Sequence, residues 1–456
     1  MTRSFLTLGV GAGLLLGFAG SADAQQALPP VRPLGSLEHV SSATFRAVSG
    51  VRELPDRRVL VNDIVDHRVL LFDSTLTTAT AIADSTPGTG SAYGNMPGGL
   101  IRYRGDSTLF VDPASMSMLV LDGSGKVARV LAVPRPTEAM FLIGGPFGEP
   151  GMDPEGRLVY RGSERLQGVP KGVDLKTYVP QFPDSAPIVR MNLANRAEDT
   201  VAFFKLPPTK MAITRTENGF SASSIVNPMP IVDTWALLPD GTIAVVRGRD
   251  FHVDWYRPDG THASSAKIPF DWQRLTDSLK TFVLDSAKQA MEKQREQRMA
   301  ALDSTRKLTG GRGATESAVT AGRGMADGGA PQIVMMVRTG GGGDGGAAPP
   351  MRGGPGAKIT LPPLQMVQPY ELPDYRPAFT VGATKSDASG NLWIRTTDAN
   401  DGRPVYDVVN DKGTLIDRVQ LPPFRTIVGF GRGVVYMAVV DVTGVVRLER
   451  ARISAN

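Results

Sequence analysis

Apolar and polar positions alternate along most of this chain in short runs, each closed by Asp, Gly, Pro or Ser. Trp235–Ile268 shows the unit most clearly: four short apolar-polar runs separated by Pro239-Asp240-Gly241, a looser corner at Arg249-Asp250, and Pro258-Asp259-Gly260. Asp-Gly between such runs predicts a hairpin, because Gly accepts the positive φ that closes the turn. Ile243, Val245 and Val246 form a β-branched run bounded by turn residues, which predicts a buried strand. His252, Asp254 and Tyr256 alternate with Phe251, Val253 and Trp255, the period-2 pattern of a strand with two unlike faces. The unit therefore reads as a four-stranded antiparallel sheet.

The same unit recurs at about Arg46–Ala83, Gly99–Val133, from Gly151 onward, at Ala378–Leu421, and from Thr426. The last copy supplies only three strands before the chain ends, and an open sheet edge leaves unpaired backbone groups. Gly35–Ser42 is a spare strand at the other end and is expected to complete that copy. The predicted fold is all-β: a six-bladed β-propeller of four-stranded blades, closed by an N-terminal strand. The repeated segments LPDGTIAVV, DPEGRLVYR and SDASGNLWIR resemble the six-bladed propellers of the TolB-like and NHL-like superfamily, over about Gly35–Asn456 less one insertion. That resemblance implies the fold. It leaves the function open among lactonases, lyases and non-catalytic binding modules.

The insertion spans 271–377, between the fourth and fifth repeats. Thr276 is a candidate N-cap, and Leu279, Phe282, Val283, Ala287, Ala290 and Met291 recur at helical spacing, so an amphipathic helix is expected. Gly310–Gly356 is low in complexity and is expected to be flexible, with Gln332–Val337 (QIVMMV) as an apolar island that pairs as a strand or docks on a partner. In a four-stranded blade, the first and third turns lie at one end, and the second turn and the interblade link lie at the other. The tight Asp-Gly-type turns are expected at the first end. The long segments (Asp84–Pro97, Pro134–Pro150, Ser163–Ala186, Pro207–Ile231 and the insertion) all belong to the second, the elaborated end, where binding is expected.

Composition narrows the reading. The 456 residues carry 50 basic and 45 acidic side chains and no cysteine. Near-balanced charge without a basic block argues against nucleic-acid binding, and the absence of cysteine excludes disulfides and thiolate chemistry. Residues 1–24 read as a secretory signal: Arg3, an apolar run from Phe5 to Ala19, and Ala22-Asp23-Ala24 before Gln25. A periplasmic or secreted monomer is expected, with residues 25–456 as the propeller and no membrane span after cleavage.

No motif identifies catalysis. Gly123-Ser124-Gly125-Lys126 lacks the spacing of a phosphate loop, and no nucleophile elbow occurs. Four histidines (His39, His67, His252 and His262) show no ligand spacing, so no metal or cofactor is assigned. Asp398, Asn400, Asp401 and Gly402 resemble part of a calcium loop but read as a turn. The candidate binding residues are Asp66, His67, Arg249, Asp250, Asp398, Asn400 and Asp401, from the second turns of three blades. No residue is assigned as catalytic. The expected function is a non-catalytic binding or scaffold propeller for a peptide, glycan or protein. The alternative is a metal-dependent hydrolase or lyase with its site at the central channel.

Overall fold

The computed structural model describes residues 28–164, 179, 181–216, 219–308, 334–338 and 363–453. The expected signal peptide, residues 165–178 of the Ser163–Ala186 excursion, and the Gly310–Gly356 tract apart from 334–338 lie outside them. The chain is mostly β, with many four-stranded antiparallel sheets, an arrangement consistent with a β-propeller.

Sheet 1 pairs Val48–Glu53, Val59–Asp63, Arg68–Phe72 and Ala79–Ala83 in chain order. Sheet 2 pairs Gly99–Arg102, Thr108–Asp112, Ser117–Leu121 and Val127–Ala132. Sheet 3 pairs Gly151–Met152, Arg157–Arg161, Ser185–Asn192 and Glu198–Lys205. Sheet 4 pairs Thr234–Leu237, Ile243–Arg247, His252–Tyr256 and His262–Ser264. Sheet 5 pairs Phe379–Ser386, Leu392–Asn400, Arg403–Val409 and Leu415–Gln420. Sheet 6 pairs Arg425–Gly431, Val434–Val440 and Val446–Arg452, and Leu37–Val40 adds antiparallel to its last strand, with His39 opposite Arg450. The Pro-rich segment before it is also a strand: Val31–Pro33 runs parallel to Leu415–Gln420 as a fifth strand of sheet 5.

The core explains how the sheets sit side by side. Val59, Leu60 and Val61 are all fully buried, but Val59 and Val61 join a cluster shared with sheet 6, while Leu60 joins one shared with sheet 2. The pleat sends successive side chains to opposite faces, so one apolar run serves two interfaces. The pattern continues from sheet to sheet. Ile101 packs with Tyr160, Ile188 with Trp235, Val246 with Ile394, and Trp393 with Met437. Tyr436 of sheet 6 then shares its cluster with Phe72 of sheet 1. First strands of neighbouring sheets also touch: sheet 6 with 1, 1 with 2, 2 with 3, and 4 with 5.

A smaller unit stands at the elaborated end. Lys210–Thr216 and Gly219–Val226 form a hairpin from the link between sheets 3 and 4. Val334–Arg338, within the apolar island, pairs antiparallel to the second hairpin strand, and Gln365–Met366 pairs parallel to it. Helix α1, Asp277–Leu308, starts where the Thr276 side chain accepts a hydrogen bond from the Leu279 backbone N–H at 3.3 Å. Its Leu284 packs on Val367 and Leu372, beside Ile225, Met229 and Met366. The buried face differs from the expected stripe. Lys280 is buried there, with Nζ 3.2 Å from the Leu372 carbonyl and 2.9 Å from Asp374 Oδ1, while Phe282 is 66% exposed. A polar turn meets the helix at that point, so a lysine that donates to it fits better than an apolar ring.

Candidate binding face

The candidate residues occupy second turns, and each is engaged mainly by its own sheet. Asp66 and His67 lie between the second and third strands of sheet 1. Asp66 is exposed and sits 3.5 Å from Arg68, which also binds the fully buried Asp63 at 3.2 Å. His67 has φ 48° and packs edge-on against Tyr93, with a buried Nδ1 that finds no hydrogen-bond partner. Burial holds its imidazole below the usual value, against the pull of Asp112, Asp63 and Asp66.

Arg249 is exposed in the corner of sheet 4, and Asp250 accepts from or pairs with His252 Nδ1 at 2.7 Å. In sheet 5 the hairpin runs further than expected. Asp398 and Asn400 end the strand Leu392–Asn400, Asn400 lies opposite Arg403, and Asp401-Gly402 makes the turn. Asp401-Gly402 and Asp441–Gly444 are second turns, so the Asp-Gly-type turns are not confined to the trimmed end as expected. Asp398 binds Arg418 at 2.6 Å. Among the described residues, no hydrogen bond or ion pair joins candidates from different turns.

Two ion networks lie behind these turns. In sheet 5, Arg418 reaches Asp398 and, through Nε, Asp407 Oδ1 at 3.2 Å. Asp407 is fully buried with Oδ2 unpaired, and burial pushes its carboxyl up to about 7. In sheet 4, Arg247 bridges Asp233 at 2.8 Å and Asp254 at 2.7 Å. His252 Nε2 and His262 Nε2 stand 3.3 and 4.0 Å from Asp254 Oδ1. Burial opposes ionisation of Asp254, but hydrogen bonds from Ser264 and Arg247 outweigh it and hold the carboxyl below its usual range. Among the described residues, no three His, Asp or Glu side chains form a metal-ligand group.

The inner end of this face is occupied by the chain itself. The link between sheets 2 and 3 forms 3-10 turns at Pro136–Leu142 and Gly145–Phe147. It touches the first strands of three sheets. A Cβ on Gly99 of sheet 2 would lie 2.6 Å from Ile143 Cα, and one on Gly382 of sheet 5 would lie 2.8 Å from the Gly145 carbonyl. On sheet 4, Trp235 Nε1 donates to the Phe147 carbonyl at 3.0 Å. Lys385 pairs with Glu149 at 2.5 Å, and Glu149 bridges to Ala236. Sequence reading placed Pro134–Pro150 at this end but did not foresee that it enters between the sheets.

The first strand of sheet 5 makes room for this contact. Phe379 pairs with Thr396 and Thr384 with Ile394, so the chain between Phe379 and Thr384 bulges out of register. A bulge re-aims the side chains it carries. Thr380 and Val381 here line a cleft of about 260 Å3, together with Pro228, Met229, Pro230, Arg376 and Pro377. A wider groove of about 480 Å3 lies at the trimmed end, between turns of sheets 1 and 2, beside Asp56, Arg58 and Asp122. Several of its polar groups are already used by the turns: Arg58 binds Asp56 at 2.6 Å, and Asp122 accepts from Ser124 and Lys126.

No family model matches this chain, and no curated protein matches it. Several solved structures are similar in fold. One is a virginiamycin B lyase from Staphylococcus aureus, at 10% identity and TM-score 0.34, covering 92% of this chain and 98% of that one. Another is a protein of unknown function from Bacteroides thetaiotaomicron, at 12% identity and TM-score 0.35, covering 91% and 72%. A third is a putative gluconolactonase, at 10% identity and TM-score 0.33, covering 92% and 97%. These neighbours are propeller-like folds, and the likeness concerns fold alone.

Proposed function

We propose that the six sheets form a closed six-bladed propeller of the TolB-like or NHL-like kind. We further propose that the chain is a non-catalytic periplasmic or secreted binding module, presenting its elaborated end to a peptide, glycan or protein. The cyclic order of the apolar clusters, ending with sheet 6 against sheet 1, supports the ring. The observation that carries the binding reading is the concentration of added structure at one end: the hairpin, α1, the inserted 143–149 segment and the cleft are all there. Loops on a rigid scaffold are where recognition concentrates. Among the described residues, no helix is long and apolar enough to cross a membrane.

The test is binding of the purified chain to peptide and glycan arrays. The double reversal R249E/D401K at the elaborated end is expected to reduce the array signal tenfold or more, and D240K/K412E at the trimmed end to leave it unchanged. The opposite pattern, or equal loss from both pairs, refutes the assignment of the face.

A further inference from the structure

The cleft beside the bulged strand carries a more specific reading, which rests on the elaborated end being the binding face. We propose that it seats an apolar group bearing a carboxylate, with the carboxylate on Arg376 and the apolar body against Met229, Pro230, Phe379 and Val381.

Two observations support this chemistry. The first is the unmet donor. Arg376 lines the cleft, its Nε is buried without a hydrogen-bond partner, and among the described residues it forms no ion pair. A guanidinium never gives up its charge under ordinary conditions and has donors in a fixed fork that fits a carboxylate. Arg376 is the one charged residue lining the cleft, and a half-buried cation favours an acceptor of opposite charge beside it. The second is the wall. Pro228, Met229, Pro230, Pro377, Phe379 and Val381 line the cleft, and these side chains offer surface without hydrogen-bonding groups. The Thr397 hydroxyl is already spent on the Pro377 carbonyl at 2.5 Å. A mostly apolar lining with one cation and the Thr380 hydroxyl selects an amphipathic anion over a sugar, which needs many polar contacts.

The volume limits the size. At about 260 Å3 the cleft is smaller than a typical drug-sized site. It suits a short acyl chain or the last residue of a peptide ending in an apolar side chain. The two sources share one chemistry and are separated by experiment.

The probes are octanoate, octanol, the peptide acetyl-Ala-Ala-Leu with a free carboxylate, and the same peptide with a C-terminal amide, each titrated calorimetrically into the full chain. A carboxylate probe is expected to bind at least tenfold more tightly than its neutral counterpart. R376Q is expected to erase that difference, and T380W, at an exposed cleft position, to block binding by filling the space. Preference for octanoate identifies a free acid, and preference for the peptide acid identifies a chain terminus. Equal binding of acid and neutral probes, or carboxylate binding unaffected by both R376Q and T380W, overturns the proposal. If R376Q fails to fold, T380W alone decides whether this cleft is the site, and the acid-neutral comparison on the native chain decides the charge requirement. Loss of array binding in R249E/D401K without carboxylate binding to the native chain would refute the cleft and leave the face assignment standing. Arg376-dependent carboxylate binding with arrays indifferent to R249E/D401K would uphold the cleft and show that Arg249 and Asp401 take no part in the contact.

Discussion

Asp407 offers the sharpest quantitative test of the packing in sheet 5. It is fully buried, one oxygen accepts from Arg418 Nε at 3.2 Å, and the other has no partner. Burial raises its carboxyl from the ordinary 3.8 to about 7, with Asp398 adding to the rise and Arg418 opposing it. A group with a raised folded-state value binds its proton more tightly when folded. Its stabilising effect is therefore complete below about pH 4 and is lost as pH rises through about 7. Roughly three units at 1.36 kcal/mol each correspond to a loss of about 4 kcal/mol across that window. Asp407→Asn removes the titration while keeping a carbonyl oxygen for Arg418. The assay is urea unfolding of the two proteins at pH 4, 6 and 8, read as the difference between them so that other titrating groups cancel. Asp407→Asn is expected to be close to the native chain in stability at pH 4 and more stable by a few kcal/mol at pH 8. A difference that does not vary with pH would refute the reasoning and show that Arg418 keeps Asp407 ionised throughout.

Two further outcomes follow from the proposed ring and its inserted segment. Deleting residues 28–42 removes the strand that pairs with Val446–Arg452 and takes Glu38 from the buried Arg450, so the midpoint of thermal unfolding is expected to fall by at least about 5 °C, and an unchanged calorimetric trace would contradict closure. Gly148→Ala places a Cβ 2.2 Å from Trp235 Nε1 at a residue with φ +95°, so a loss of about 2 kcal/mol or more in urea unfolding is expected, and near-native stability would mean that the segment does not press on Trp235.

Much of the fold was legible because its determinants are local. Short apolar runs ended by Asp-, Gly- or Pro-bearing turns mark most of the four-stranded sheets, and at Val59–Val61 alternation along the strand assigns side chains to two interfaces. Three features were not legible, each because a distant partner decides it. Val31–Pro33 becomes a strand only because Leu415–Gln420 offers a free edge and Arg32 meets Asp417 across the ladder. The helix stripe turned toward Lys280 because a distant turn supplies the Leu372 carbonyl and Asp374. The Gly144-Gly145-Pro146-Phe147-Gly148 run looks like any surface loop. Its three glycines, all of which take positive φ, are the one signal of unusual backbone present in the sequence itself.

The candidate residues show why turns alone do not define a site. Charges at a second turn find opposite charges on their own strand ends first, as Asp66 does with Arg68 and Asp398 with Arg418. Such pairs are satisfied before any ligand arrives, and the more exposed of them, Asp66 with Arg68, contributes little. Buried polar atoms without a partner among the described residues include His67 Nδ1 at a candidate turn, Arg376 Nε, and Asp407 Oδ2 within sheet 5. Of these, Asp407 is sealed from solvent, and His67 is packed against Tyr93. Arg376, by contrast, lines an open cleft. The 143–149 segment meanwhile touches the first strands of sheets 2, 4 and 5, so on the proposed ring it fills the inner part of this end. A ligand at this end is then directed off the axis, to the rim where the bulged strand, the 228–230 link and Arg376 meet.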